Sequence, residues 1–197
     1  SRRNRVALRI VHQISTAGPA GASDLSARHS AIYAVLKWML ETGVEEIPED
    51  DYEQVLDVTA SVLINTYGDK GVVPLVVELI FARHRRDRYI HDLVWALFQV
   101  RDPDVLKLIA ERMMSAEEKD AELAANMLNL DETEVVAEKH DKQGRYAGYL
   151  HWLEENQPYL YFTQESFQYA RKPAFTTVDH ARKYLQKGGL SYEKQPV

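Results

Sequence analysis

The stretch RDPDVLKLI, residues 101–109, joins a turn directly to the apolar face of a helix. Asp102 is a residue type favoured as an N-cap, and Pro103 suits the first turn of a helix, where its missing N–H has no intrahelical partner. Four apolar residues then recur at the spacing of one helical face: Val105, Leu108, Ile109 and Met113. The stretch therefore predicts the start of a helix.

A similar apolar pattern precedes this helix at a distance of 33 residues. Under that shift four residues align with the four just named: Val72, Leu75, Val76 and Ile80. The helices that follow align under a shift of 31 residues, which pairs Leu93 with Ala124 and Leu97 with Leu128. Two helix pairs with matched apolar faces predict a stacked array, because a single pair cannot bury its faces alone. The turn at 102–104 then marks the boundary between the pairs.

Residues 69–130 resemble HEAT-like α-α repeats of the ARM/HEAT type, in which two antiparallel helices form each repeat. Pro74, Asp102, Pro103 and Asp104 carry the resemblance. It implies a short α-α solenoid whose extended surface binds another protein. An irregular helical bundle is the alternative fold.

The rest of the chain has the same helical periodicity and predicts an all-α protein of about eight or nine helices. Residues 72–80 are rich in β-branched side chains and also suit a strand, but Gly71 and Pro74 favour a helix start. No stretch alternates with a period of two, so no strand is predicted. The predicted apolar stripe between 31 and 40 consists of Ile32, Val35, Leu36, Met39 and Leu40.

Helix boundaries and domains follow from caps and from a change in composition. Ser115 and Glu118 have the spacing of a capping box and predict a helix through 130. After residue 156 the sequence becomes aromatic and loses its helical period, which predicts a C-terminal extension, 157–197, packed on a helical domain, 1–156. Within the extension, 176–185 predict a short helix with a Thr cap. Because Ser1 already lies in a predicted helix, we expect a piece of a longer protein.

The composition narrows the classes of function. The chain has 197 residues, a net charge of −6 and no cysteine. Disulfides, thiolate catalysis and sulfur-ligated zinc are therefore excluded, and a reducing cytoplasm is the expected location. The negative charge argues against a general polyanion binder. No apolar run approaches ~18 residues, so no membrane partner is expected.

Charged residues are segregated along the chain. Residues 41–57 contain eight acidic residues and no basic one, which predicts either solvated helix starts or an acidic docking surface. A basic cluster follows, and it predicts either a site for an acidic protein surface or phosphates, or a structural role at a helix end, where positive charge complements the macrodipole. Its four arginines are Arg83, Arg85, Arg86 and Arg88.

Trp38, Trp95 and Trp152 each lie off the main apolar stripe of their predicted helix. Two interpretations remain open at this stage. A stacked helix is buried on two sides, so the second side can hold a tryptophan. Alternatively, the three side chains are exposed anchors for a partner, because tryptophan is enriched at interaction hot spots.

Catalytic and metal-binding motifs are absent from the sequence. It contains no GxSxG, SxxK, GxGxxG, P-loop or HExxH pattern, so we expect no enzyme, no cofactor and no metal. A helical pocket near Tyr149, His151 and Glu154 is the basis for a small-molecule enzyme as a third hypothesis. The leading prediction is a non-catalytic scaffold that binds another protein. The runner-up is nucleic-acid binding through the basic cluster.

Overall fold

The computed structural model describes residues 5, 8–9, 11–12, 29–45, 50–130, 141–162 and 176–187. The chain divides into two compact units, 1–108 and 109–197. The described residues form eight α-helices with defined bounds and one pair of short strands, which confirms the all-α prediction in its coarse form. No helix in these ranges is both long and apolar enough to cross a membrane.

In the first unit, helices pack both against the next helix in the chain and against the helix after that. Helix α1 packs against α2 and α3, while α2 also packs against α4. A short 3-10 turn, Lys70–Val72, leads into α3. The helices are α1 (His29–Glu45), α2 (Asp50–Asn65), α3 (Val73–Arg85), α4 (His91–Phe98) and α5 (Asp104–Glu111), and the division between the units falls within α5.

Helix α3 confirms the choice of helix over strand for residues 72–80. Pro74 lies in its first turn, where a missing N–H removes no intrahelical hydrogen bond. Asp69 caps the 3-10 turn that leads into α3, because its Oδ1 accepts a hydrogen bond from the Gly71 amide at 2.8 Å. Asp102 does the same for α5, where its Oδ1 accepts from the Asp104 amide at 3.0 Å.

The contact between α1 and α2 requires a glycine. A Cβ added to Gly43 would lie 2.5 Å from Leu56 Cδ1, and Leu56 is fully buried. We therefore expect Gly43→Val to lower the free energy of unfolding by about 1–3 kcal/mol, as overpacked core substitutions do. The measurement is urea unfolding, with Ala34→Val as the control because Ala34 is exposed on the same helix. Equal losses in the two variants would show that the low helix propensity of valine, rather than packing against Leu56, accounts for the effect at position 43.

The second unit begins with the end of α5 and contains both strands. Strands β1 and β2 are antiparallel, with Leu160 opposite Val178 and Phe162 opposite Thr176. The prediction of no strand was wrong here, because three-residue strands are too short to show a period of two. The elements are a 3-10 turn (Arg112–Met114), α6 (Glu118–Leu128), α7 (Lys142–Asn156), a 3-10 turn (Gln157–Tyr159), β1 (Leu160–Phe162), β2 (Thr176–Val178) and α8 (His180–Lys187).

Two predicted caps were assigned to the wrong residues. Ser115 does not form a capping box with Glu118: its hydroxyl accepts from the Glu117 amide at 3.1 Å and donates to the buried Asp120 Oδ2 at 3.0 Å. Helix α6 accordingly begins at Glu118 and its last helical residue is Leu128. The final helix is capped by Asp179, whose Oδ1 accepts from the Arg182 amide at 3.0 Å, while the threonines before it belong to β2.

The described part of the predicted C-terminal extension contacts α7 and the turn that follows it. Lys183 Nζ donates to Asn156 Oδ1 at 2.6 Å, and the Asp179 amide donates to the Tyr159 carbonyl at 2.8 Å. These contacts lie inside the second unit, across the boundary predicted between 156 and 157. Residues 163–175 of the extension lie outside the described residues.

Candidate interaction surface

Arg83 belongs to the core of the first unit. Its side chain is only 3% exposed, and its Nη1 donates to Asp57 Oδ1 at 2.6 Å. Nη2 donates to the Glu53 carbonyl at 2.9 Å, and Nη1 also reaches the Tyr89 carbonyl at 3.4 Å. This one guanidinium therefore ties α3 to α2 and to the loop before α4, and it is not part of a docking surface.

The other arginines of the cluster are not equivalent to one another. Arg88 Nε donates to Glu53 Oε1 at 3.1 Å, so its charge is matched within the first unit. Arg85 is half-buried in the last turn of α3, and Arg86 is exposed at its C-cap. The predicted cluster is therefore divided between an internal ion-pair network and a helix end, and it does not form one basic face.

Asp57 is the buried carboxylate of this network. Burial raises the pKa of the Asp57 carboxyl to about 6, and the Arg83 guanidinium opposes that rise. The nearby carboxylates of Asp92 on α4 and Glu53 on α2 add to the rise, because like charges favour the protonated form. The carboxyl group therefore titrates at a higher pH in the folded chain than in the unfolded chain.

The raised pKa of Asp57 makes stability depend on pH in a defined direction. A folded state that holds this proton more tightly loses stability as the pH rises from about 4 to about 6, by roughly 3 kcal/mol for a rise of about two pKa units. We expect this decline in urea unfolding of the wild type, relative to Asp57→Asn, whose amide does not titrate. Parallel pH profiles for the two proteins would contradict the assignment.

Trp95, in the middle of α4, and Tyr89, in the loop before α4, are both exposed aromatic residues. The two residues are 37% and 60% exposed, respectively. Asp92 lies between them in sequence and shares a helical face with Trp95, three residues away. The Tyr89 ring also contacts His91, with ring centroids 6.0 Å apart. Trp95 is therefore on the surface, as the anchor interpretation expected.

Trp152 has a different environment. It is half-buried in the second unit and stacks on Tyr149, with ring centroids 5.6 Å apart and an interplanar angle of 25°. Tyr149 is fully buried, so the contact fixes one face of the indole ring. Trp152 thus contributes to packing and does not project into solvent as an anchor.

The buried face of α1 differs from the predicted stripe at one residue. Leu36, Met39 and Leu40 are buried as expected, and Ile32 is half-buried. Val35 was assigned to the same stripe but is 53% exposed. The prediction was wrong because Val35 lies about 100° from Leu36 around the helix, which places it on the border of the buried face.

The exposed side of α1 carries a row of apolar side chains that begins at the border of the buried face. Trp38 is 56% exposed and Val35 lies three residues before it. Ala34 and Ala31 are also exposed, about one and two turns before Trp38 on the same side of the helix. We call these four residues, Ala31, Ala34, Val35 and Trp38, the α1 strip. A surface helix normally presents polar side chains on this face, so the strip is the strongest candidate for a contact surface.

Three polar residues of α1 make contacts elsewhere than on the strip. Lys37 points toward the other edge, with its Nζ 5.9 Å from the Tyr33 ring centroid. Tyr33 is itself held in place, because its hydroxyl donates to Asp69 Oδ2 at 2.6 Å. The Thr42 hydroxyl donates back to the Trp38 carbonyl at 2.9 Å. Each of these groups is thus directed at α1 or its neighbours and away from the strip.

The pocket considered for a small-molecule enzyme is not formed by its three residues. Tyr149 is buried, whereas His151 and Glu154 are exposed on α7. His151 Nε2 lies 3.7 Å from Glu155 Oε1, an exposed pair one helical turn apart. Within the described ranges, no group of three potential metal ligands comes together. These side chains therefore do not converge on a common site.

Comparison with known proteins adds no assignment. No family model, no curated protein and no solved structure matches the chain.

Proposed function

We propose that the chain is a non-catalytic scaffold that binds another protein through the α1 strip. The observation that carries the proposal is the exposure of Trp38 and Val35 on the outer face of a helix whose inner face is already buried. Exposed apolar side chains in one row lose contact with water when a partner covers them, and tryptophan is the residue type most enriched at binding hot spots. The proposed location is the cytoplasm, which the absence of cysteine favours.

The proposed architecture is a short HEAT-like array, and burial of the equivalent residues supports it. Val72 and Val105 are both buried, as are Val76 and Ile109. Both members are also buried in three later pairs, which are Ile80 with Met113, Leu93 with Ala124, and Leu97 with Leu128, whereas Val94 is buried and its equivalent Ala125 is half-buried. These positions are thus buried in both helix pairs, although Val72 and Met113 lie in 3-10 turns next to α3 and α5.

The internal ion pairs favour the scaffold over nucleic-acid binding. A site for phosphates needs several guanidinium groups on one accessible face. Arg83 is buried against Asp57, and Arg88 is paired with Glu53. These two guanidinium groups are therefore engaged within the first unit, on a chain whose net charge is −6.

Capture of partners from extract tests the proposal. The full chain is the bait in nuclease-treated extract of its own source, beside Val35→Ser/Trp38→Ser and Arg85→Glu/Arg86→Glu variants. We expect a protein that the wild type and the arginine variant retain and the strip variant loses. Retention by all three baits would support a protein-binding scaffold but would show that its binding surface is not the α1 strip. Recovery of nucleic acid alone before nuclease treatment, and of nothing afterwards, would contradict the proposal.

A further inference from the structure

Asp92 is an exposed carboxylate with two exposed aromatic neighbours on the surface of the first unit. It lies in the first turn of α4, three residues before Trp95, so the two side chains are neighbours on one helical face. The Tyr89 hydroxyl, from the loop before the helix, donates a hydrogen bond to the Asp92 carboxylate. Tyr89 is 60% exposed and Trp95 is 37% exposed. An accessible carboxylate and two accessible aromatic side chains are thus gathered at the start of α4.

The charge of Asp92 is not matched by a base within the described ranges. Arg83 is buried against α2, and Arg88 Nε lies 3.1 Å from Glu53 Oε1. His91 is half-buried, and its ring contacts the Tyr89 ring. None of these bases forms an ion pair with Asp92, and neither does any other base in the described part of the chain. A positive group from outside the chain can therefore pair with this carboxylate.

The surroundings of the Tyr89 hydroxyl show the same excess of negative charge. Burial, and after it the Asp92 carboxylate, raise the pKa of this hydroxyl. The Asp57 carboxylate adds to the rise, and no basic group opposes it. The face of an aromatic ring is itself electronegative and attracts cations. The carboxylate and the two aromatic side chains therefore favour the same kind of ligand, which is a cation.

Two other classes of ligand fit this site poorly. A phosphate group, as in a nucleic acid, would be repelled by the Asp92 carboxylate. A metal ion needs several ligands, and no group of three potential metal ligands comes together in the described ranges. An organic cation needs only one carboxylate and an aromatic face, and both are present at the start of α4.

We propose that Asp92, Trp95 and Tyr89 bind an arginine side chain of a partner protein, at a contact on α4 that does not depend on the α1 strip. The carboxylate accepts two parallel N–H bonds from the guanidinium group, because the Tyr89 hydroxyl uses only one of its roughly four lone-pair sites. The plane of the guanidinium group stacks on the accessible part of the Trp95 ring. Arginine suits this site better than lysine, because an ammonium group is more strongly hydrated and forms neither the paired bonds nor the stack.

Nuclear magnetic resonance of the isotope-labelled full chain tests the inference at the indole N–H signal of Trp95, which a Trp95→Phe variant assigns. The probe is the peptide acetyl-Gly-Arg-Gly-amide, and the matched control contains citrulline, which has the shape of arginine without its charge. We expect a saturable shift with a Kd on the order of 1 mM, since a single exposed contact is weak. The citrulline peptide and a lysine peptide should bind at least about fivefold more weakly, and the signals of Trp38 and Trp152 should not move. No saturable shift, or equal affinity for the citrulline or the lysine peptide, would overturn the inference.

Substitutions locate the binding to the start of α4. Asp92→Asn should weaken the arginine peptide at least about fivefold, whereas Asp104→Asn should bind it like the wild type. Asp104 is the matched control because it is also an exposed acid in the first turn of its helix, so both variants lose a favourable charge at a helix N-terminus. Val35→Ser/Trp38→Ser should leave the shift of the Trp95 signal unchanged, and circular dichroism checks that each variant is folded. Equal losses in the two aspartate variants, or a loss in the strip variant, would overturn the inference.

Discussion

Arg83→Met is expected to lower the free energy of unfolding of the first unit by about 3–5 kcal/mol. The substitution removes the guanidinium that donates to Asp57 Oδ1 at 2.6 Å and takes this counter-ion away from a buried carboxylate. The Glu53 carbonyl loses a hydrogen-bond donor as well. Urea unfolding followed by circular dichroism measures the loss. A change below about 1 kcal/mol would mean that the pair contributes no more than a surface ion pair.

Two controls separate the charge effect from the loss of the side chain. Arg86→Met removes an exposed arginine of the same helix end and should change stability by no more than about 0.5 kcal/mol. Asp57→Leu/Arg83→Met replaces the whole pair by apolar groups and should recover most of the loss, because no unpaired charge remains. The cost of Arg83→Met alone should also shrink at acid pH, where Asp57 becomes protonated. A cost that stays constant with pH would contradict the role assigned to Asp57.

Tyr149→Ala is expected to lower the free energy of unfolding of the second unit by about 3–5 kcal/mol, the range for large aromatic residues in a core. Tyr149 is 2% exposed and is among the largest fully buried side chains. Removal of this side chain leaves a cavity in the core beside α7 and takes away the ring on which Trp152 stacks. Chemical denaturation followed by tryptophan fluorescence measures the effect, since Trp152 reports on this contact.

Tyr184→Ala provides the matched control for Tyr149. Tyr184 lies on α8 of the same unit but is exposed to solvent, and its ring stacks on the exposed His180. We expect its removal to cost less than about 1 kcal/mol. Similar losses for the two tyrosines would show that burial of Tyr149 does not control the stability of this unit.

The helices could be predicted because their apolar residues recur with a period near 3.6, as in α3 and α4. The same periodicity contained an overlooked signal at Arg83. Position 83 lies three, four and seven residues after Ile80, Leu79 and Val76, all of them buried, so it falls on the buried face of α3. Grouping the arginines by their closeness in sequence overlooked this placement. The partner Asp57 is separated from Arg83 by 26 residues. Sequence spacing alone does not reveal such a pair.

Other features depend on tertiary context that a local pattern lacks. The strands Leu160–Phe162 and Thr176–Val178 exist because they pair with each other across the chain. The hydroxyl of Ser115 interacts with Asp120 rather than with a capping partner at 118. Val35 and Leu36 are adjacent in an apolar sequence, yet only contacts from α2 and α3 decide which of them is buried. The position of Trp38 off the apolar stripe was therefore predictable from the sequence, whereas the exposure of Val35 beside it was not.

Photo-crosslinking at position 35 is the most direct test of the central claim, that the α1 strip is a protein-binding surface. Benzoylphenylalanine replaces Val35 in one sample and Lys107, an exposed residue of α5, in the other. Both samples are irradiated in extract of the chain's own source. We expect a covalent adduct with a distinct polypeptide at position 35 and little or none at position 107. Equal yields at the two positions, or no adduct at position 35, would contradict it.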